Sequence, residues 1–384
     1  MPFDGRMCKL GVWDESVPGI KFDKDGISNY ATLFNTLRDN FPRGQEGLKI
    51  WENKVSLMKK NKRSKYDCII GVSGGVDSSY LLHLTKKTYG LNPLAVNLDN
   101  GWSSDIAVKN IKKVTDKLDI DLYTYVINYN EVKDLLRVFM LGSLPWIDVP
   151  TDLAIKSILY KIASQEKVLY VLRGNDFRSE GTQPFEWTGG DARVLKYLHK
   201  KYGKVKLKTF PNYTLFNLLY YGLVKRIESI YPFYHLDYQK QEAKKLLIDQ
   251  YNWEDYGGHH FENVFTKFAM SYWLPVKFGI DKRKITLSAQ ILSGAISRES
   301  AIEEINKSSF DETLIDSQID YICKKLDFTR SEFDYIMKSE NRSFYDYPTY
   351  SKIMMKYRNL SNWILLKILK KKPMSMFQME MRNK

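Results

Sequence analysis

Short apolar runs separated by stretches of helical periodicity mark out one part of this chain. The runs occupy residues 68–72, 94–98, 122–127 and 168–172. They are short enough for strands, and they alternate with longer helical stretches as the strands of a parallel sheet do. Between the first two, residues 78–89 carry Tyr80, Leu81, Leu84 and Lys87 at helical spacing. Before the last, Thr151 is placed to cap a helix whose face holds Ile155, Ile158, Leu159 and Ile162. Strands alternating with helices predict βαβ units, and therefore an α/β fold with a doubly wound parallel sheet over residues 66–185. Residues 1–65 mix turns, as in Val17-Pro18-Gly19-Ile20 and Asp23-Lys24-Asp25-Gly26, with one amphipathic stretch near 30–41. They read as a small N-terminal subdomain ending in a basic, solvated linker at 59–65. Residues 186–384 lose the strand signal and read as a mainly helical substrate and C-terminal region, broken at Pro211, Pro232, Gly257-Gly258 and Pro275. Within it the aromatic segment 213–234 is expected to be a buried helix pair, with a membrane-surface or pocket-lining role as the alternative.

Composition narrows this picture. The 384 residues carry 59 Lys and Arg against 45 Asp and Glu, a net charge of +14 that points to an anionic partner. With 43% hydrophobic residues the chain is of ordinary globular composition. No run approaches the ~18 apolar residues of a membrane helix, and Met1 to Arg6 hold no signal-peptide core, so no membrane span and a cytoplasmic location are expected. Cys8, Cys68 and Cys323 are too scattered for a disulfide framework or a zinc cluster within this chain.

The segment richest in chemistry is Ile69-Ile70-Gly71-Val72-Ser73-Gly74-Gly75-Val76-Asp77-Ser78-Ser79. An apolar strand runs through two adjacent glycines directly into a helix. The glycines let backbone N–H groups close on an anion, and the helix start adds its unsatisfied N–H groups and positive dipole end. Ser73 and Ser78 add hydroxyl donors. Asp77, a carboxylate beside phosphates, makes sense with a Mg²⁺ between them. The loop lacks the lysine of a Walker A motif and is no G-x-G-x-x-G. Ser73-Gly74-Gly75-Val76-Asp77-Ser78 instead resembles the SGGxDS pyrophosphate loop of the PP-loop ATP pyrophosphatases. The resemblance implies an ATP substrate cleaved between its α- and β-phosphates, leaving an adenylated substrate.

Ligands of open α/β sheets bind outside the carboxyl ends of the strands, so loops after other strands should face Ser73. Asp99 follows the second strand. Gly174, Asn175 and Asp176 follow the fourth, where they would contact ribose, metal or substrate. Farther on, Lys277, Lys282 and Arg283 belong to a basic cluster interrupted by Asp281, suited either to stabilising a leaving pyrophosphate or to a locally paired, exposed helix start.

A sharper resemblance rests on several segments together. They are Pro18-Gly19-Ile20-Lys21-Phe22-Asp23, the SGGxDS loop, Tyr256-Gly257-Gly258-His259-His260-Phe261-Glu262, Lys277-Phe278-Gly279-Ile280-Asp281-Lys282-Arg283 and Ser293-Gly294-Ala295-Ile296-Ser297-Arg298-Glu299. Their combination is similar to the N-acetyl sugar amidotransferases, which turn an acetamido into an acetamidino group on sugars of lipopolysaccharide or on the nonulosonic acids, such as pseudaminic acid, of flagellin. Many relatives carry two Cys-x-x-Cys pairs that resemble a zinc site. Here only Cys8 is present, with Gly11, Ser28 and Ala31 at the other positions, so no zinc is expected and the turn at Lys24-Asp25-Gly26 must be held by packing and hydrogen bonds.

The resemblance implies that ATP adenylates the acetamido oxygen and that ammonia then displaces AMP. Ser73, Gly74, Gly75 and Ser78 would hold pyrophosphate, and Asp77 a Mg²⁺. Lys277, Lys282 and Arg283 would stabilise charge, while His259, His260 or Glu262 would orient the sugar or take an ammonia proton. Residue 2 is Pro, and no cysteine sits at a glycine-flanked elbow. Ammonia is therefore expected from a separate glutaminase subunit or from free ammonium. Two other readings share the loop: a tRNA-modifying enzyme, which +14 would suit although no nucleic-acid partner is expected, and a non-catalytic nucleotide-binding subunit.

Overall fold

The computed structural model describes residues 5–258, 261–363, 366, 372 and 374–383. Five parallel strands form one sheet: β1 (Cys68–Gly71), β2 (Pro93–Asp99), β3 (Leu122–Val126), β4 (Tyr170–Leu172) and β5 (Glu228–Ile230). Their order is β3-β2-β1-β4-β5. The chain winds outward from β1 through β2 to β3 and then restarts on the other side at β4. Register fixes the centre, with Ile70 opposite both Ala95 and Leu172.

Alternation along β1 sends Ile69 to one face and Ile70 to the other. Ile69 packs with Leu94, Val96 and Val171 against Ile158, Leu159 and Ile162 of the helix Val149–Gln165. Ile70 packs with Ala95 and Leu172 against Leu81 and Leu82 of the helix Val76–His83, and Ile111 and Val114 of the helix Asp105–Leu118. Helices thus cover both faces, as the doubly wound reading requires. A third apolar cluster joins the N-terminal helix Asn29–Asn40, the helix Tyr129–Leu141 and helices beyond residue 260.

Three sequence expectations are corrected. β5 lies in the stretch assigned to helices, because a three-residue edge strand leaves almost no periodic signal. The helix before β4 starts at Val149, with Asp148 rather than Thr151 at its cap position. Pro150 tolerates that first turn because its missing N–H would have had no intrahelical partner. Residues 213–234 are no buried helix pair. The helix Leu215–Leu219 and the wide π-turn Tyr220–Val224 leave Phe216 73% and Val224 67% exposed, while Tyr213 and Tyr221 stack on Tyr160. Among the described residues no helix is long and apolar enough to cross a membrane.

In the N-terminal segment the buried Cys8 thiol accepts the Ser28 N–H at 3.3 Å. A methyl group at Gly11 would lie 2.7 Å from the Trp13 ring, so that ring fills the space beside it. The turn Lys24-Asp25-Gly26 hangs on the Asp23 carboxylate, which accepts the N–H groups of Asp25 and Ile27 at 2.9 and 2.8 Å.

A buried ion pair ties this segment to the sheet: Arg43 meets Asp176 at 2.9 Å and also donates to the Phe233 carbonyl. Removing the cation would strand a carboxylate that is 1% exposed. Arg43→Met should therefore cost about 3–5 kcal/mol of unfolding free energy in a urea titration.

Candidate functional site

The strand order reverses between β1 and β4, and a cleft of about 410 Å³ opens outside their carboxyl ends. Gly71 to Ser73 lie at its floor on one side and Leu172 to Asn175 on the other. Gly74 turns the chain with φ +81°, a value glycine adopts without strain, and a side chain there would strike the Ala107 carbonyl at 2.3 Å. Its own carbonyl accepts the Trp253 indole N–H at 3.0 Å. Gly75 is the cap residue of the helix Val76–His83 and places no side-chain acceptor on the first N–H groups. The Val76 N–H meets the Tyr256 hydroxyl, and the N–H groups of a helix start suit an anion.

Ser73, Gly75, Asp77 and Ser78 line the cleft, as do Gly174, Asn175, Lys282 and Glu262. Gly174 earns its place sterically: a methyl there would sit 3.0 Å from the Asp77 carbonyl carbon, so β4 can lie against the helix start. Asn175 donates to Glu180 at 3.1 Å. Glu262 accepts the Ser73 hydroxyl at 3.2 Å, and the Tyr256 hydroxyl would lie 3.1 Å from a methyl on Gly75. Burial, with Glu262 beside it, pushes that phenol far above its usual range. Tyr256 and Glu262 therefore both lie against the phosphate loop. His259 and His260 lie outside the described residues.

Asp77 is held from both sides. Tyr238 donates to one oxygen, and Lys240 meets the other at 3.2 Å. Burial alone would lower the Lys240 amine, but Asp77, Glu180 and Glu262 outweigh it and its pKa is raised. The lysine absent from the loop thus arrives from 163 positions downstream. No local pattern announces it. A cradle of loop and helix-start N–H groups, two serines, a carboxylate and a charged amine fits a polyphosphate and one oxygen-liganded divalent cation. The cation would have to share Asp77 with Lys240.

Four predicted site residues do not reach the cleft. The Lys277 amine donates to the carbonyls of Ile336 and Ser339, each at 2.8 Å, and so caps the helix Arg330–Lys338. Arg283 grips Asp281 with two nitrogens, the nearer 2.7 Å away, and reaches the carbonyls of Glu304 and Ile305. Asp176 is buried by its pair with Arg43 and caps the short helix Phe177–Glu180. Asp99 accepts the Gly101 N–H at 2.9 Å and shapes the turn after β2. In each case a nearby backbone or ionic partner takes up the charge the sequence offered to substrate.

At the other wall stand Trp146, Asp148, Asp152 and Glu180, none of them anticipated. Asp152 accepts the Trp146 indole N–H at 2.7 Å, and Asp148 accepts the Thr266 hydroxyl at 2.6 Å. The Lys282 amine lies 4.1 Å from the centre of the Trp146 ring.

Residues 262–361 match the family model of an LPS biosynthesis protein, WbpG-like, C-terminal domain. An uncharacterised protein of Methanocaldococcus jannaschii is 33% identical over 92 residues, 24% of this chain. The chain covers only about a third of that relative's length (33%). Among solved structures, NMN synthetase from Francisella tularensis is similar at a TM-score of 0.36 and 15% identity, over 74% of this chain and 92% of that one. NH3-dependent NAD synthetase from Campylobacter jejuni aligns at 0.27 and 16%, over 45% and 72%. The U34-tRNA thiolase NcsA from Methanococcus maripaludis aligns at 0.27 and 14%, over 77% and 89%. Likenesses this remote assign neither substrate nor reaction.

The two lysines separate site from scaffold. On the ATP cleavage that the SGGxDS resemblance implies, Lys240→Met should slow pyrophosphate release on the order of 10²-fold in a coupled assay, as loss of a preorganised charge does. Lys277→Met should leave that rate within about twofold and instead lower unfolding free energy by about 1–3 kcal/mol, through its stranded carbonyls.

Proposed function

We propose that this chain is an ATP-dependent, AMP-forming amidotransferase that converts the acetamido group of an N-acetyl sugar into an acetamidino group. The observation that carries the reading is the closure of the SGGxDS loop by Glu262, the residue at which the segment matching the LPS-biosynthesis family begins. An anion cradle built for pyrophosphate and a segment similar to a sugar-polymer biosynthesis domain meet at one hydrogen bond.

An amide is a weak electrophile with a poor leaving group. In the proposed sequence the acetamido oxygen attacks the α-phosphorus of ATP, the bond to the β-phosphate oxygen breaks, and pyrophosphate leaves into the loop. The N–H groups of the loop and helix start hold it there, the Ser73 and Ser78 hydroxyls turn to it from Glu262 and the Gly75 carbonyl, and Lys240 balances the charge that grows on it. Asp77 is the residue that would hold Mg²⁺, which when bound neutralises phosphate charge. The second half replaces oxygen by nitrogen: ammonia adds to the imidate carbon and the C–O bond to AMP breaks. A separate glutaminase subunit or free ammonium supplies the nitrogen. Glu262, which lines the same cleft, would orient the sugar.

Purified protein supplied with ATP, Mg²⁺, ammonium and a panel of free and nucleotide-linked acetamido sugars should yield one product about one mass unit lighter, with AMP and pyrophosphate in equal amounts. Asp77→Ala should abolish all three. Inert sugars together with tRNA-dependent, salt-sensitive pyrophosphate release would overturn the reading in favour of an RNA-modifying enzyme.

A further inference from the structure

Ammonia that adds to an activated carbon carries a positive charge in the adduct. Unless a proton leaves, that nitrogen is expelled as readily as it arrived, and AMP stays attached. A base must therefore stand where the nucleophile enters. Lys282 has the geometry of one. Its side chain is 8% exposed and lines the cleft, yet it makes no hydrogen bond or ion pair with any described residue. A buried ammonium normally spends its donors on oxygen, as Lys277 does. Lys282 lies instead over the Trp146 ring, which Asp152 holds in place from the edge.

The charged groups around it come from several elements. Asp148 and Asp152 lie at the start of the helix Val149–Gln165 and Glu180 at the end of the helix Phe177–Glu180, while Thr266, on the helix Val264–Phe268, is already bonded to Asp148. Among its sequence neighbours Asp281 and Arg283 pair with each other, and Lys284 pairs with Asp14. Burial pushes the Lys282 amine down to about 8, with Asp152, Glu180 and Asp148 pulling it back only in part. Lys240 shows the opposite balance and stays an ammonium. The two amines in the cleft therefore differ in kind: one serves as a fixed positive charge, and the other exchanges its proton near neutrality.

Resting on the amidotransferase reading, we infer that Lys282 takes the proton shed by the incoming nitrogen, and that Trp146, Asp148 and Asp152 around it seat the nitrogen nucleophile. Ammonia forms the C–N bond with its lone pair while the C=N π pair moves onto the sugar nitrogen. The Lys282 amine accepts one proton from the new ammonio group. The pair on the sugar nitrogen then re-forms the C=N bond as the C–O bond breaks, AMP departs with the C–O electron pair, and Lys282 returns its proton to solvent. The aromatic face and the carboxylates favour a small cation or amine over a phosphate, which marks this wall as distinct from the phosphate loop.

The test separates the two half-reactions. Sugar-dependent exchange of labelled pyrophosphate into ATP reports adenylation, and hydroxylamine, which is uncharged across the range that matters, replaces ammonium in the transfer step. Wild-type transfer should rise with pH and level off above about 8, since the free amine is the active form. Lys282→Met and Lys282→Arg should lose transfer on the order of 10²–10³-fold and lose that rise, while exchange continues. The arginine variant keeps charge and bulk but cannot accept the proton, and continued exchange in either variant demonstrates a folded site. Exchange lost in step with transfer would overturn the inference and assign Lys282 to pyrophosphate. An unchanged rise in both variants would overturn it too. Absence of exchange in the wild type would instead bring down the amidotransferase reading, and the Lys282 role with it.

Discussion

The chain can enter the helix at Val76 only by bringing Gly74 against the backbone of Ala107, and the rest of the site is arranged around that contact. A side chain at Gly74 would both strain a positive φ and collide with a carbonyl. The Trp253 indole then locks the turn by donating to the Gly74 carbonyl, with Tyr256 over Gly75 and Glu262 at Ser73. One tight packing contact thus sets the phosphate loop's shape and, through the Trp253 segment, its cover. The parallel sheet supplies the stiff floor on which this is possible, since β1 is buried on both faces between two strands paired in register.

Three lysines show how surroundings, rather than residue type, decide what a side chain does. Lys277 meets carbonyl oxygens and becomes a helix cap. Lys240 meets Asp77 and keeps its proton despite burial. Lys282 is as buried as Lys277 but finds an aromatic face instead of an acceptor, and burial prevails. Desolvation acts against the charge in all three. Only the partner differs.

Legibility in the sequence follows the range of the interactions. The phosphate loop could be read because strand, glycines, acid and serines are contiguous, and β1 to β4 because each carries a sufficient apolar run. β5 could not, being three residues long inside an aromatic stretch. Lys240, Trp146 and Glu180 were invisible because they reach the cleft only through the fold. Lys277, Arg283, Asp176 and Asp99 were misplaced for the complementary reason: a charge in a sequence gives no sign of the carbonyl or counter-ion that will occupy it. The exposed Phe216 and Val224 show the same limit for apolar side chains.

In the proposed reaction the acetamide oxygen itself attacks ATP at the α-phosphate. Labelling that oxygen with ¹⁸O and following it by mass spectrometry tests this most directly. The label should appear in AMP, one atom per amidine formed, with pyrophosphate unlabelled. Label released to inorganic phosphate alongside ADP, or AMP formed without label, would contradict it.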